Sequence, residues 1–243
     1  MQLNNIAMKL YKVTTEVVGE VLDTSPITSA QPLERPRELH RELRRLVKGE
    51  SGIINGERLR SFVFPTDKFD VFISHSHNDL EIAKLFAVWL EEKCGLSVFL
   101  DSFVWGSADG LLQEIDNLYC KQQNGLYSYH RRNYSTAHIH TMLSMSIMEI
   151  IKQSRAGVFI DSSHSLNLNK LRNNNQAKTL SPWIYQEIMF MRLFADKKSS
   201  TRMFSRENLN ENFQIAHSVD LSDFTLLTVK DLINFASRRM KSI

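Results

Sequence analysis

Hydrophobic and polar positions follow two regimes along the chain, and the change comes near Lys68. Ahead of it, Leu3, Ile6, Ala7, Leu10, Val13, Val17, Val18 and Val21 recur at helical spacing, which predicts an amphipathic helix with one apolar side. Residues 25–36 hold three of the five prolines (Pro26, Pro32 and Pro36) and read as a linker. A second helix is predicted from Pro36, with Leu39, Leu43, Leu46 and Val47 on one face and Gly49 as its stop. Its other face carries Arg37, Arg41, Arg44, Arg45 and Lys48, with Glu38 and Glu42 as partial partners, and reads as a solvated surface. Residues 51–66 predict a short hairpin turning at Asn55-Gly56.

From Lys68 onward, strand and helix patterns alternate. Val71, Phe72 and Ile73 are apolar on both faces, which suits a strand buried in a parallel sheet. Ser74 to Asp79 then places hydroxyl, imidazole and carboxamide groups at that strand's carboxyl end, where open α/β sheets bind ligands. Residues 79–93 predict a helix with Ile82, Leu85, Phe86, Trp89 and Leu90 buried, ending at Gly95. Residues 97–100 make a second strand, stopped by Asp101-Ser102. A long polar and aromatic excursion follows over 103–137, with one helix over 108–119; excursions of this length are usually functional or lid-like. A helix over 138–153, a third strand over 156–160 and a polar loop over 166–179 come next. Ser181 is placed to cap a helix over 181–195, with Pro182 at its first position. Further strands are expected at 213–217 and 224–228, before a terminal helix reaching about Arg239. This alternation implies a parallel sheet covered on both faces.

Composition narrows the function. With 42% hydrophobic and 23% charged residues the chain is an ordinary globular one, and a net charge of +3 implies no strong field for nucleic acid. Cys94 and Cys120 lack any CxxC spacing and read as reduced thiols. The apolar stretches fall short of the roughly 18 to 20 residues a membrane span needs. Lys9, Lys12, Glu16 and Glu20 interrupt the first 23 residues, unlike a signal peptide, so a cytoplasmic protein with no membrane or nucleic-acid partner is expected. Two His-x-His pairs, His75/His77 and His138/His140, have no Cys or acidic residue at established ligand spacing, so no metal is expected. There is no Walker A loop and no GxGxxG, which argues against a dinucleotide oxidoreductase.

Three blocks carry a family likeness. Asp70-Val71-Phe72-Ile73-Ser74-His75 resembles the first-strand box of the Toll/interleukin-1 receptor (TIR) domain family in its prokaryotic form. Gly95-Leu96-Ser97-Val98-Phe99-Leu100-Asp101 resembles its second-strand box, which leads into the BB loop. Residues 154–160 and Ser181-Pro182-Trp183-Ile184-Tyr185-Gln186-Glu187-Ile188 resemble its third strand and its Ser-x-Trp-x-x-x-Glu helix. The likeness covers about half of the chain. The loop over 102–137 is enlarged, the loop before the Trp-Glu helix is expanded, Ile184 stands where a Cys often follows the Trp, and residues 1–67 have no counterpart. The expected fold is α/β, a flavodoxin-like three-layer sandwich with a mostly parallel five-stranded sheet. It comprises an N-terminal helical extension and linker over 1–67 and a TIR-like domain over 68–243.

The resemblance implies an NAD-cleaving enzyme of antiviral defence, an NAD nucleosidase or ADP-ribose cyclase, with NAD as substrate rather than cofactor. It also implies self-association through TIR domains and a downstream effector that responds to a nucleotide signal. Glu187 maps to the family's catalytic glutamate. Elementary chemistry agrees: cationic nicotinamide is already a good leaving group, so no general acid is needed, and a single carboxylate facing an oxocarbenium-like sugar stabilises that state electrostatically. A solvated helix glutamate is the plainer reading of Glu187, and a core aromatic that of Trp183, one turn earlier. Ser74 and His75 are candidates for phosphate or ribose binding, and Asp101, Ser102 and Trp105 point to the same end of the sheet. Tyr127, Tyr129, Arg131, Arg132, Asn133 and Tyr134 form a basic-aromatic cluster, read as an exposed loop or a cover for phosphates. Two other functions remain open: a non-catalytic TIR adaptor mediating TIR–TIR interaction, and another nucleotide N-glycosidase or deoxyribosyltransferase.

Overall fold

The computed structural model describes residues 7–28, 45–47, 54–63, 67–100, 102–166, 177–195 and 215–240. Its strands are β1 (Lys9–Thr14), β2 (Val71–Ser74), β3 (Val98–Leu100), β4 (Ala156–Asp161), β5 (Lys178–Thr179), β6 (His217–Ser218) and β7 (Thr225–Leu226). Its helices are α1 (Thr15–Thr24), α2 (Gly56–Val63), α3 (Leu80–Trp89), α4 (Ser102–Ile115), α5 (Tyr129–Gln153), α6 (Pro182–Leu193) and α7 (Val229–Met240). The chain packs as two units, one from Met1–Gln31, Lys68–Leu100 and Ile150–Ile243, the other from Pro32–Asp67 and Asp101–Glu149.

The first unit is the expected α/β sandwich. Five parallel strands run in the order β3-β2-β4-β1-β7. All four residues of β2 and all three of β3 are buried, as are Gly157 to Ile160 of β4, so these strands read as continuous apolar runs. Phe72 stacks on Phe99 across β2 and β3 with ring centroids 5.9 Å apart. Helix α1 packs on α3 and α7, α7 packs on the turn over residues 90–94 that follows α3, and α6 packs against β2. Gly157 lets α6 come close to β4: a Cβ there would lie 2.3 Å from Met191 Sδ.

The N-terminal segment departs from expectation. Residues 9–14 are a strand, not part of an amphipathic helix, and the helix begins only at Thr15. Thr14 ends β1 and caps α1, its Oγ1 accepting from Val17 N–H at 3.3 Å. β1 sits between β4 and β7, in the fourth position of the sheet, with Lys9 opposite Ala156 and Thr14 opposite Asp161. Buried Leu10 and Val13 lie three residues apart, a spacing that continues into buried Val18 and Val21 of α1 and imitates one long helix.

The later strands also differ. β6 does not join the main sheet but pairs antiparallel with β5, and residues 213–214 of the strand expected there lie outside the described residues. β7 is the edge strand, at the position expected for the fifth. In α3, Phe86 and Trp89 are buried as expected, but Leu85 is exposed and Ala83 and Ala87 take the inner face. Trp89 Nε1 donates to the Ser25 carbonyl at 3.0 Å, and the Thr28 N–H and hydroxyl donate to Glu92, which fastens the segment after α1 to the end of α3. A π-helical turn, Leu90–Cys94, follows α3 and ends at Gly95, whose φ of 65° is a left-handed cap.

In the second unit the predicted hairpin is a helix instead. Asn55 Oδ1 accepts from Arg58 N–H at 3.0 Å, so the Asn-Gly pair starts α2 and makes no turn. The excursion is largely helical, with α4, a π-helical turn over Asp116–Cys120, and the first turns of α5. Asp116, nearly without exposed surface, accepts from Arg132 Nε and Ser135 Oγ, both at 2.8 Å. Tyr119 hydroxyl donates to the Val47 carbonyl at 2.8 Å, and Arg60 pairs with Glu149. Most of the helix predicted from Pro36 to Gly49 lies outside the described residues, but Arg45–Val47 is helical.

Candidate functional site

The candidate site forms where β2 and β4 end. These strands are adjacent and parallel, yet β2 leads through α3 to β3 on one side while the chain after β4 leads through α6 toward β7 on the other, so right-handed crossovers set the two helices on opposite faces. Such a reversal is the topological switch point at which doubly wound sheets hold their ligands.

Ser74 closes β2 and pairs with Phe159 of β4. Across from it, Ser181 starts α6 by accepting from Ile184 N–H at 3.3 Å, and Pro182 supplies a preset φ at the first helical position. Two turns of that helix then bury Ile184, Glu187, Ile188 and Met191. Glu187 has no exposed surface, and its Oε2 accepts from Ser74 Oγ at 2.6 Å. The solvated-glutamate reading is therefore overturned, and two expected site residues 113 positions apart meet. A short bond from a hydroxyl to a carboxylate is among the stronger side-chain contacts and fixes the carboxylate's orientation. Trp183 lies one turn before Glu187 and is half-buried. His75, next after Ser74, is buried.

Ser76 begins a short 3₁₀ turn, His77–Asp79, by accepting from Asn78 N–H. That turn delivers Asp79, almost fully enclosed, to the loop after β4. Asp79 Oδ1 bonds His164 Nδ1 at 2.8 Å, and its Oδ2 accepts from Ser162 Oγ at 2.5 Å. Nearby at the end of β4, burial pushes the Asp161 carboxyl upward, opposed by the positive charge of Lys12 and reinforced by Glu16. Ser162 and His164 were not singled out from the sequence, and Asp79 entered only as the end of the polar run after the first strand. The available signal was a second polar run, Ser162-Ser163-His164-Ser165, directly after the third strand, in the same place as Ser74 to Asp79 after the first.

Asp101 lies outside the described residues, as does the side chain of Trp105, whose backbone is in α4. Ser102 begins α4 in the second unit and is half-buried. Arg131 and Arg132 of the basic-aromatic cluster are spent within the second unit, on the Tyr119 carbonyl and on Asp116. Arg132 also lies 5.6 Å from the Tyr127 ring centroid, so these cations brace the start of α5. His75 is buried where His77 is exposed, and among the described residues no three His, Cys, Asp or Glu side chains gather as a metal site. Among the described residues no helix is long and apolar enough to cross a membrane.

No protein-family model, curated protein or solved structure matches this chain.

Proposed function

We propose that this chain is an NAD-cleaving enzyme of the TIR type, a nucleosidase or ADP-ribose cyclase that acts in prokaryotic antiviral defence signalling. The observation that carries the reading is the meeting of Glu187 and Ser74 at the carboxyl end of β2. In the proposed reaction Glu187 binds the hydroxyls of the nicotinamide ribose and faces the positive charge that grows as the glycosidic bond lengthens. Ser74 holds the carboxylate in the orientation this needs. Trp183, one turn earlier on the same helix, supplies aromatic surface beside it. Glu187 is fully enclosed, so substrate reaches it only after the surrounding side chains shift. Self-association that completes and opens the site accounts for this.

The test is nicotinamide release from NAD by the purified full chain, at high concentration and in lysate of infected cells. Glu187→Ala should lower the rate about 100- to 1,000-fold, the usual cost of one lost electrostatic partner. Equal rates for the intact and substituted chains would refute the assignment. No release by the intact chain in either setting would leave a TIR–TIR adaptor.

A further inference from the structure

We infer that His164 is the proton acceptor for the attacking oxygen at the switch point, with Asp79 as its positioning residue. This rests on the NAD-cleaving reading above. Asp79 follows β2 and His164 follows β4, so their bond joins the two loops that part company at the switch point. Ser74, which holds Glu187, pairs with Phe159, three residues ahead of Ser162 on the same strand and loop. Both groups thus follow from the carboxyl ends of the adjacent strands β2 and β4, in one unit.

The geometry selects the role. A carboxylate only accepts, so Asp79 Oδ1 at 2.8 Å places the imidazole proton on Nδ1 and leaves the Nε2 lone pair as the working atom. The carboxylate is buried and its other oxygen is held by Ser162 Oγ, whereas the His164 side chain is half exposed. A fixed, enclosed carboxylate behind an accessible imidazole stabilises the imidazolium that forms when Nε2 takes a proton. Ser162 is not the nucleophile, because its hydroxyl donates to Asp79 and not to the histidine. An anion is a poor occupant: Asp79 repels it, and the N–H groups of Ser162, His164 and Ser165 are bonded to serine hydroxyls of the same loop. An O–H donor, either water or a sugar hydroxyl, fits. Its oxygen bonds to C1′ of the nicotinamide ribose as the C1′–N bond breaks. That electron pair stays on the departing nitrogen and neutralises nicotinamide. The O–H proton passes to His164 Nε2 and then to solvent.

A nucleophile without a proton separates this role from a structural one. The full chain is given NAD together with 3-acetylpyridine, which replaces nicotinamide by attack through its ring nitrogen and needs no base. His164→Gln should lower ADP-ribose and other oxygen-attack products about 100- to 10,000-fold, the usual range for general-base catalysis, while pyridine exchange persists. Asp79→Asn should show the same split. Loss of both products together, or of neither, would overturn the assignment, as would an intact enzyme that forms no oxygen-attack product. An intact chain that makes neither product removes the NAD reading itself, an outcome distinct from an active chain indifferent to His164→Gln.

Discussion

The bond between Ser74 and Glu187 is open to a quantitative test apart from any activity. Both side chains are without exposed surface and their oxygens are 2.6 Å apart. A hydrogen bond to a charged group contributes about 1.5–3 kcal/mol, and a buried group left without its donor costs a similar amount. Ser74→Ala should therefore destabilise the chain by about 1.5–3 kcal/mol. At about 2–4 °C per kcal/mol for a chain of this size, the melting midpoint should fall by about 3–12 °C. Glu187→Leu removes the acceptor while keeping apolar bulk. Because the double variant leaves neither partner stranded, Ser74→Ala/Glu187→Leu should be less damaged than the sum of the single changes, by about 0.5–3 kcal/mol. The measurement is the denaturant midpoint of all four chains at constant m value. Additivity to within about 0.5 kcal/mol would show that the two side chains are energetically independent and would remove the physical basis for Ser74 as an orienting group.

Two further outcomes follow from packing and from charge. At Gly157 an added methyl would lie 2.3 Å from Met191 Sδ and 2.9 Å from its Cγ, so Gly157→Ala should cost about 1–3 kcal/mol by overpacking, with part recovered by adding Met191→Ala, in the same denaturation assay. Asp70 is held below the usual carboxylate range chiefly by the Ser97 backbone N–H, with help from the Ser97 hydroxyl and Arg155. A carboxyl depressed in the folded state stabilises fully above its unfolded pKa of about 3.9 and loses that contribution as pH falls through the folded value. The gap in melting temperature between the native chain and Asp70→Asn should thus be full at neutral pH and close in acid. A gap that widens on acidification would contradict the assignment.

The best-read parts of the sequence were those whose signal is local. β2, β3 and β4 are apolar runs bounded by polar residues, and Ser181-Pro182 marks a helix start by its own chemistry, so these elements and the position of Glu187 were legible. β1 was not, because its sequence alternates weakly and its neighbours are supplied by residues about 145 and 215 positions later. Tyr11, Val13 and Thr14 are residues that favour strands, but the Leu10–Val13 spacing passes for a helical stripe when no partner strand is in view. Asn55-Gly56 satisfies both a turn rule and a cap rule, and the burial of Leu59 in α2 favours the cap. Within the polar excursion the helix expected over 108–119 overlaps α4, but the first turns of α5 were hidden because they are largely exposed, Tyr129 and Tyr134 included. The pairing of Asp79 with His164 spans 85 positions and follows no motif, so only the folded sheet could bring it out.

The place of β1 has a consequence for how the protein is made. On the ribosome this strand emerges first, yet one neighbour, β4, begins at Ala156 and the other, β7, at Thr225. Its unpaired amides and its apolar Leu10 and Val13 must stay uncommitted while residues 15–155 are still being synthesised. Parallel pairing over such separations is slow and leaves nascent chains open to wrong partners. β1 can join β4 only once Asp161 has emerged, and β7 can join β1 only once Leu226 has, so the β1 side of the sheet closes later than the β2–β3 side.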